Sequence, residues 1–181
     1  MRQINCPVCN EPPHQPIISN EICVCSKCEL RWTYIPDELD AEALYEDEIY
    51  AIVDNRKSVF ERIIFSEAEK VLRIAKNLQL KANSLLDFGS GKGQFLWVAK
   101  QHGWFGLGIE TAHDRAEFAK KYYHVEVLEE MYSGGKVAER KFDLITLNHV
   151  LEHLPDPIGL LSQLVESNLS DEGLVYIEVP R

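Results

Sequence analysis

Two stretches of this chain carry residue types at spacings that can do chemistry. The first is Leu85-Leu86-Asp87-Phe88-Gly89-Ser90-Gly91-Lys92-Gly93, followed by Gly106-Leu107-Gly108-Ile109-Glu110. It reads as a buried strand, a glycine loop opening a helix, and a second strand ending in a carboxylate. An open α/β sheet holds an adenosine-bearing cofactor with this arrangement. The loop needs small residues because its backbone turns sharply and comes close to the ligand. Glu110 is placed to accept hydrogen bonds from two ribose hydroxyls. A dinucleotide fingerprint runs G-x-G-x-x-G, but here the third glycine falls one residue early and Gln94 takes the sixth position. The acid Asp87 just ahead of the loop suits a positively charged ligand better than a pyrophosphate.

The second stretch holds all five cysteines, within the first 28 residues. Cys6-Pro7-Val8-Cys9 and Cys25-Ser26-Lys27-Cys28 form two C-x₂-C knuckles with fifteen residues between them. Each knuckle aims two thiolates at one point, and paired knuckles at this spacing specify a tetrahedral zinc site. A disulfide pair is the rival reading and suits secreted chains. Asn10 after the first knuckle tolerates the left-handed backbone such turns need, whereas Glu29 after the second is less accommodating. Cys23 reads as a strand residue beside the site, with an alternative in which it replaces Cys25. His14 is a further, weaker ligand candidate. Four thiolates leave no open coordination position, so the expected role is structural. A module of some 36 residues buries too little apolar surface to fold alone, and a structural zinc supplies on the order of 10 kcal/mol.

The loop Asp87-Phe88-Gly89-Ser90-Gly91-Lys92-Gly93 resembles the first motif of class I S-adenosylmethionine-dependent methyltransferases, and Glu110 matches their second-strand acid. The run from Phe142 through Asn148-His149-Val150-Leu151-Glu152-His153 to Pro157 looks like their fourth strand and the turn after it. Gly173 to Pro180 looks like their fifth strand. This resemblance covers residues 83 to 181. It implies a Rossmann-like sheet, with S-adenosylmethionine held by Asp87, Gly89, Ser90, Gly91, Gly93, Glu110, Asn148 and His149. Methyl transfer is a displacement at an already activated carbon, so the protein mainly positions the nucleophile and excludes water. A base is needed only where the acceptor must lose a proton. His149 is the candidate, with His153 second.

These residues imply three parts: a zinc-ribbon-like module over 1–36, a helical linker or lid over 37–82, and the cofactor-binding core over 83–181. The spacing predicts a short acidic helix from Ala41 to Tyr50. A longer one is expected from about Asp54 to Leu80, capped by Asp54, with a core-facing stripe of Val59, Phe60, Ile63, Ile64, Val71, Ile74, Ala75 and Leu78. Tyr45 and Tyr50 are weak candidates for the pocket border. Trp32, Tyr34 and Ile35 are expected to pack the ribbon. Crossover helices are expected over 94–102 and 112–122, and strands over 125–128 and 174–179. No adenine contact is legible between residues 126 and 133. The family's sheet carries two more strands beyond the fifth, so the chain reads as C-terminally truncated or as an abbreviated form of the fold. Leu174 to Val179 then forms an apolar edge, and self-association through it is expected.

His149-Val150-Leu151-Glu152-His153 also spells H-x-x-E-H, the inverted zinc-peptidase signature. That chemistry needs a stable helix, and Pro155 arrives within one turn, so the methyltransferase reading explains the same letters better. Glu152 and His153 read first as the capping and packing of a short helix.

Composition narrows the function classes. The chain has 181 residues, 45% of them hydrophobic, and a net charge of −10. No run of 18 apolar residues and no apolar leader is present, so no membrane span and a cytoplasmic location are expected. The ribbon module is neutral, and seven acids crowd residues 37–48. That charge pattern reads as a solvated face and disfavours a nucleic-acid partner. The leading function is methyl transfer to a small molecule or sugar, since a cysteine module ahead of this core resembles bacterial sugar C-methyltransferases. The alternatives are an RNA methyltransferase with an N-terminal zinc finger, and a cofactor- or partner-binding module without turnover.

Overall fold

The structure is a computed structural model that describes residues 5–14, 22–33, 54–78, 83–130, 137, 140–154 and 156–180. It divides into two units, Met1–Tyr50 and Ala51–Arg181. The expected acidic helix, Tyr34, Ile35, Tyr45 and Tyr50 lie outside the described residues.

In the first unit, β1 (Ile22–Val24) pairs antiparallel with β2 (Arg31–Thr33), placing Cys23 opposite Trp32. The second cysteine knuckle forms the turn of this hairpin. The first knuckle joins it through the single bridge Pro13↔Cys25 and through His14 N–H donating to the Val24 carbonyl at 2.8 Å. Asn10 and Glu29 both adopt left-handed backbone, with φ of 58° and 60°. The two knuckles therefore close in the same way, although only one has a residue suited to it.

The second unit is built on a five-stranded parallel sheet. Its strands are β3 (Ser84–Phe88), β4 (Phe105–Ile109), β5 (Glu126–Leu128), β6 (Phe142–Asn148) and β7 (Leu169–Glu178), in the spatial order β5-β4-β3-β6-β7. Parallel strands are covered on both faces, which is why β3 and β6 read as nearly unbroken apolar runs. Successive side chains go to opposite cores. Leu85 and Leu144 join one core with Leu96, Val98 and Ala99, while Leu86, Ile145 and Leu147 join the other with Leu164. The registers Phe88↔Leu147 and Asn148↔Glu178 align the carboxyl ends of β3, β6 and β7. β7 begins five residues earlier than expected and stands at the sheet edge among the described residues.

The long helix differs from its expectation. α1 (Val59–Asn77) starts five residues later than Asp54, and its cap is Ser58, whose Oγ accepts from Glu61 N–H at 3.1 Å. Lys57 has φ of 65°, which ends the helical path there, and Asp54 accepts instead from the Arg56 side chain at 2.6–3.1 Å. The buried face is Glu61, Ala68, Val71, Leu72 and Ala75, whereas Val59, Phe60, Ile63, Ile74 and Leu78 are more than half exposed. Apolar residues exceed what one helix face can bury, so periodicity alone pointed at the wrong edge of the stripe. Glu61 is buried because its carboxylate accepts from the Tyr123 hydroxyl and from Lys57 N–H.

α2 (Gln94–Gln101) follows the glycine loop as expected. The second crossover is α3 (His113–Phe118), which widens into a π-turn over Ala119–Tyr123. α4 (Pro157–Asn168) leads into β7, capped by Asp156 accepting from Gly159 N–H at 2.9 Å. Leu151–His153 is one 3₁₀ turn. It is too short to present two histidines on a helix face, and the peptidase arrangement is therefore absent there.

Candidate active site

The site lies where strands β3, β4 and β6 end. Gly89, Gly91 and Gly93 all take positive φ, at 70°, 53° and 75°. This geometry is why the loop is glycine-rich. Gly89 N–H and Ser90 N–H both donate to the Ile109 carbonyl at 2.9 Å, which ties the loop to the end of β4. Glu110 follows β4 and is buried. Its Oε2 accepts from Gly91 N–H at 2.8 Å and its Oε1 from Ala112 N–H at 2.9 Å. Each oxygen retains acceptor capacity for a ligand hydroxyl.

Asp87 lies beneath the loop with 2% of its surface exposed. Burial pushes its carboxyl up to about 7, opposed by hydrogen bonds from Thr146 and Asn148 and reinforced by the Glu110 charge. Thr146 Oγ1 donates to Asp87 Oδ1 at 2.7 Å. A carboxyl held near neutrality in a buried site is balanced to respond to a cation arriving beside it.

These residues border a cleft of about 390 Å³ lined by Asp87, Gly89, Ser90, Gly91, Asn148 and His149, together with Ile63, Ile64, Glu67 and Glu178. Gly93 and Glu110 are not among its lining residues; Glu110 reaches the loop through Gly91 N–H. His153 does not line the cleft, and its Nε2 is 3.9 Å from Glu152 Oε1. His149 occupies a left-handed turn with φ of 54°, and its N–H donates to the Glu178 carbonyl at 2.8 Å. Ile63, Ile64, Glu67 and Glu178 were not expected here. Glu178 had one signal in the sequence, a carboxylate at the end of a strand beside the fourth. The α1 residues had none, because their place depends on how that helix packs. A second depression, about 370 Å³, lies on α4 between Ile158, Leu161 and Val165, away from the strand ends.

The four knuckle sulfurs lie within 4.8 Å of one another, the one cluster of three or more such ligands among the described residues. Cys6 to Cys28 is 3.6 Å, Cys9 to Cys25 is 3.3 Å and Cys9 to Cys28 is 3.7 Å. All five cysteines are free thiols. A tetrahedron with metal–sulfur bonds of about 2.3 Å has edges of roughly 3.8 Å, so the set is compatible with zinc. Backbone N–H groups of Cys28 and Lys27 lie 3.4 Å from Cys25 Sγ and draw that thiol down to about 6. Cys23 is buried in the hairpin, and neither it nor His14 belongs to the cluster.

This fold and loop define a Rossmann-like methyltransferase domain. The chain belongs to the methyltransferase-domain family, whose profile matches residues 57–181. It is 28% identical over 115 residues to a ubiquinone biosynthesis O-methyltransferase of Haemophilus ducreyi, a match covering 55% of this chain and 48% of that protein. A Coxiella burnetii protein of the same name is 28% identical over 89 residues, covering 46% and 38%. The chain thus spans about half the length, or less, of these relatives. Among solved structures, the plantazolicin methyltransferase BpumL in complex with a monoazolic desmethylPZN analog and SAH superposes with a TM-score of 0.62 at 26% identity, covering 76% of this chain and 55% of that one. A SAM-dependent methyltransferase from Archaeoglobus fulgidus shares the fold, with a TM-score of 0.55, 18% identity, and coverage of 78% and 59%. No helix among the described residues is long and apolar enough to cross a membrane.

Proposed function

We propose that this chain is an S-adenosylmethionine-dependent methyltransferase acting on a small-molecule or sugar acceptor, with a structural zinc in its cysteine module. The observation that carries the reading is the loop itself: Gly91 N–H is fixed on Glu110, and a Cβ at Gly91 would meet nothing within 4 Å. That space admits a ligand against the backbone. When bound, the cofactor supplies a methyl group activated on a sulfonium. Glu110 holds its ribose hydroxyls, Gly89 and Gly91 admit it to the backbone, and Asn148 and His149 border it. His149 takes the acceptor's proton where one must leave, and His153 is the second candidate. The relatives named for ubiquinone biosynthesis and plantazolicin support a small-molecule or peptide acceptor over a nucleic acid.

Calorimetric titration with S-adenosylhomocysteine and, in parallel, NAD tests the cofactor. Micromolar binding of the first and none of the second is expected, and the reverse pattern would refute the reading. Atomic emission should find one zinc per chain, retained in Cys23→Ala and lost in Cys25→Ala. Equal loss in both would overturn the ligand set.

A further inference from the structure

Four side chains near the carboxyl end of β6 form a connected chain, and two of them, His149 and Glu178, line the cleft. The Tyr176 hydroxyl donates to Glu178 Oε2 at 2.7 Å, and burial together with Glu178 pushes that phenol up to about 12, so it stays a donor. The other carboxylate oxygen, Glu178 Oε1, lies 3.4 Å from His149 Nε2. On the far side of the ring, Glu152 Oε1 lies 3.6 Å from His149 Nδ1. The backbone holds the same group together. His149 N–H is bonded to the Glu178 carbonyl, and the next residue, Val150, presses on the loop so closely that a Cβ at Gly89 would meet its Cγ2 at 2.4 Å. The left-handed backbone at His149, a non-glycine residue, is strained. Such strain persists where the surroundings enforce it, characteristically at working sites.

We propose that Glu178, anchored by Tyr176, orients the His149 imidazole to take the acceptor's proton, and that the acceptor is an uncharged hydroxyl compound with an apolar body lying against Ile63 and Ile64. This rests on the methyltransferase reading above. Glu178 is the nearer of the two carboxylates, at 3.4 Å against 3.6 Å for Glu152, so Nε2–H turns toward Glu178 and Nδ1 is the nitrogen left to accept. The acceptor oxygen forms a bond to the sulfonium methyl, the carbon–sulfur bond breaks with its electron pair left on sulfur, and the hydroxyl proton passes to Nδ1. The imidazolium so formed stands between the carboxylates of Glu152 and Glu178, which stabilise it until the proton passes to water. Contacts of 3.4–3.6 Å are long for hydrogen bonds, and sites of this kind tighten when substrate arrives. A built proton acceptor implies a hydroxyl rather than an amine, because a neutral amine attacks first and loses its proton afterwards. Glu67 and Glu178 outnumber Lys92, the one lysine on the cleft wall, and so disfavour an anionic acceptor, while Ile63 and Ile64 supply an apolar wall.

Nitrogen-15 NMR of the full chain reads the His149 tautomer directly, with His149→Asn to assign the signals. The Nε2–H form should dominate in the wild type, become mixed in Glu178→Ala, and be restored in Glu178→Gln, whose amide oxygen still accepts. Tyr176→Phe should shift the mixture partway. A tautomer unchanged in Glu178→Ala would overturn the positioning role, since a purely structural Glu178 would not set it. The acceptor class is tested with S-adenosylhomocysteine present by titrating catechol and its monophosphate while following the Ile63 and Ile64 methyl signals. Catechol should move them and the phosphate should not. Movement by neither, or equally by both, would overturn that assignment. Absence of S-adenosylhomocysteine binding would refute the cofactor reading separately, because the tautomer measurement does not depend on it.

Discussion

Adding one methyl group at either of two loop glycines separates the loop's two tasks. In Gly91→Ala the new Cβ meets no atom within 4 Å, so the only folding cost is the left-handed backbone at φ 53°. That cost is about 1–2 kcal/mol, reduced by about 0.4–1 kcal/mol because alanine restricts the unfolded chain more than glycine does. In Gly93→Ala the backbone cost is similar at φ 75°, but the Cβ would come 2.7 Å from Ala119 Cβ and 2.8 Å from Val125 Cγ2. Overpacking a close-packed position adds about 1–3 kcal/mol. Gly93→Ala should therefore lose roughly 2–4 kcal/mol, against about 1 for Gly91→Ala. At about 3 °C per kcal/mol, the drop in Tm should be near 3 °C for Gly91→Ala and three times that for Gly93→Ala. S-adenosylhomocysteine affinity should move the other way. The Gly91 methyl would occupy the ligand's space and weaken binding at least tenfold, about 1.4 kcal/mol. Thermal melts and calorimetry on the two variants give all four numbers. Unaltered binding in Gly91→Ala would refute placement of the ligand against this backbone. Equal Tm losses would refute the packing argument.

The folded state holds the Asp87 proton more tightly than the unfolded chain does, so this group favours folding when protonated. Its contribution fades as pH rises from about 4, the unfolded value, to about 7, the folded one. Asp87→Asn should flatten that decline, of order a few kcal/mol in urea-unfolding free energy, and an unchanged pH profile would refute the assignment. Tyr123→Phe should cost about 1–3 kcal/mol by removing the hydroxyl donor from buried Glu61. Urea unfolding identical to wild type would show that the carboxylate has another partner.

The loop, the knuckles and the strand ends were readable because their chemistry is local. Gly89, Gly91 and Gly93 need positive φ within one turn, and two cysteines three residues apart converge wherever the backbone turns. Glu29 shows the limit of that reasoning. The knuckle holds it in the left-handed region although its side chain does not favour that conformation. α1 shows a larger failure. Val59, Phe60 and Ile63 are apolar yet exposed, and Glu61 is charged yet buried, because Tyr123 and Lys57 satisfy its oxygens. Neither fact is visible in a periodicity, since each partner comes from elsewhere in the fold or from the cap.

The sequence by itself determined the class of chemistry. An acid, a G-x-G-x-G loop and a second-strand glutamate are specified by short-range geometry, as is a four-thiolate cluster. Only the tertiary structure decided what surrounds them. The register Asn148↔Glu178 brings a carboxylate and a tyrosine from the last strand to His149, and the packing of α1 brings Ile63 and Ile64 to the same cleft. Strand pairing and helix docking join residues far apart in the chain. Their positions follow from how the whole sheet closes, which no local spacing encodes.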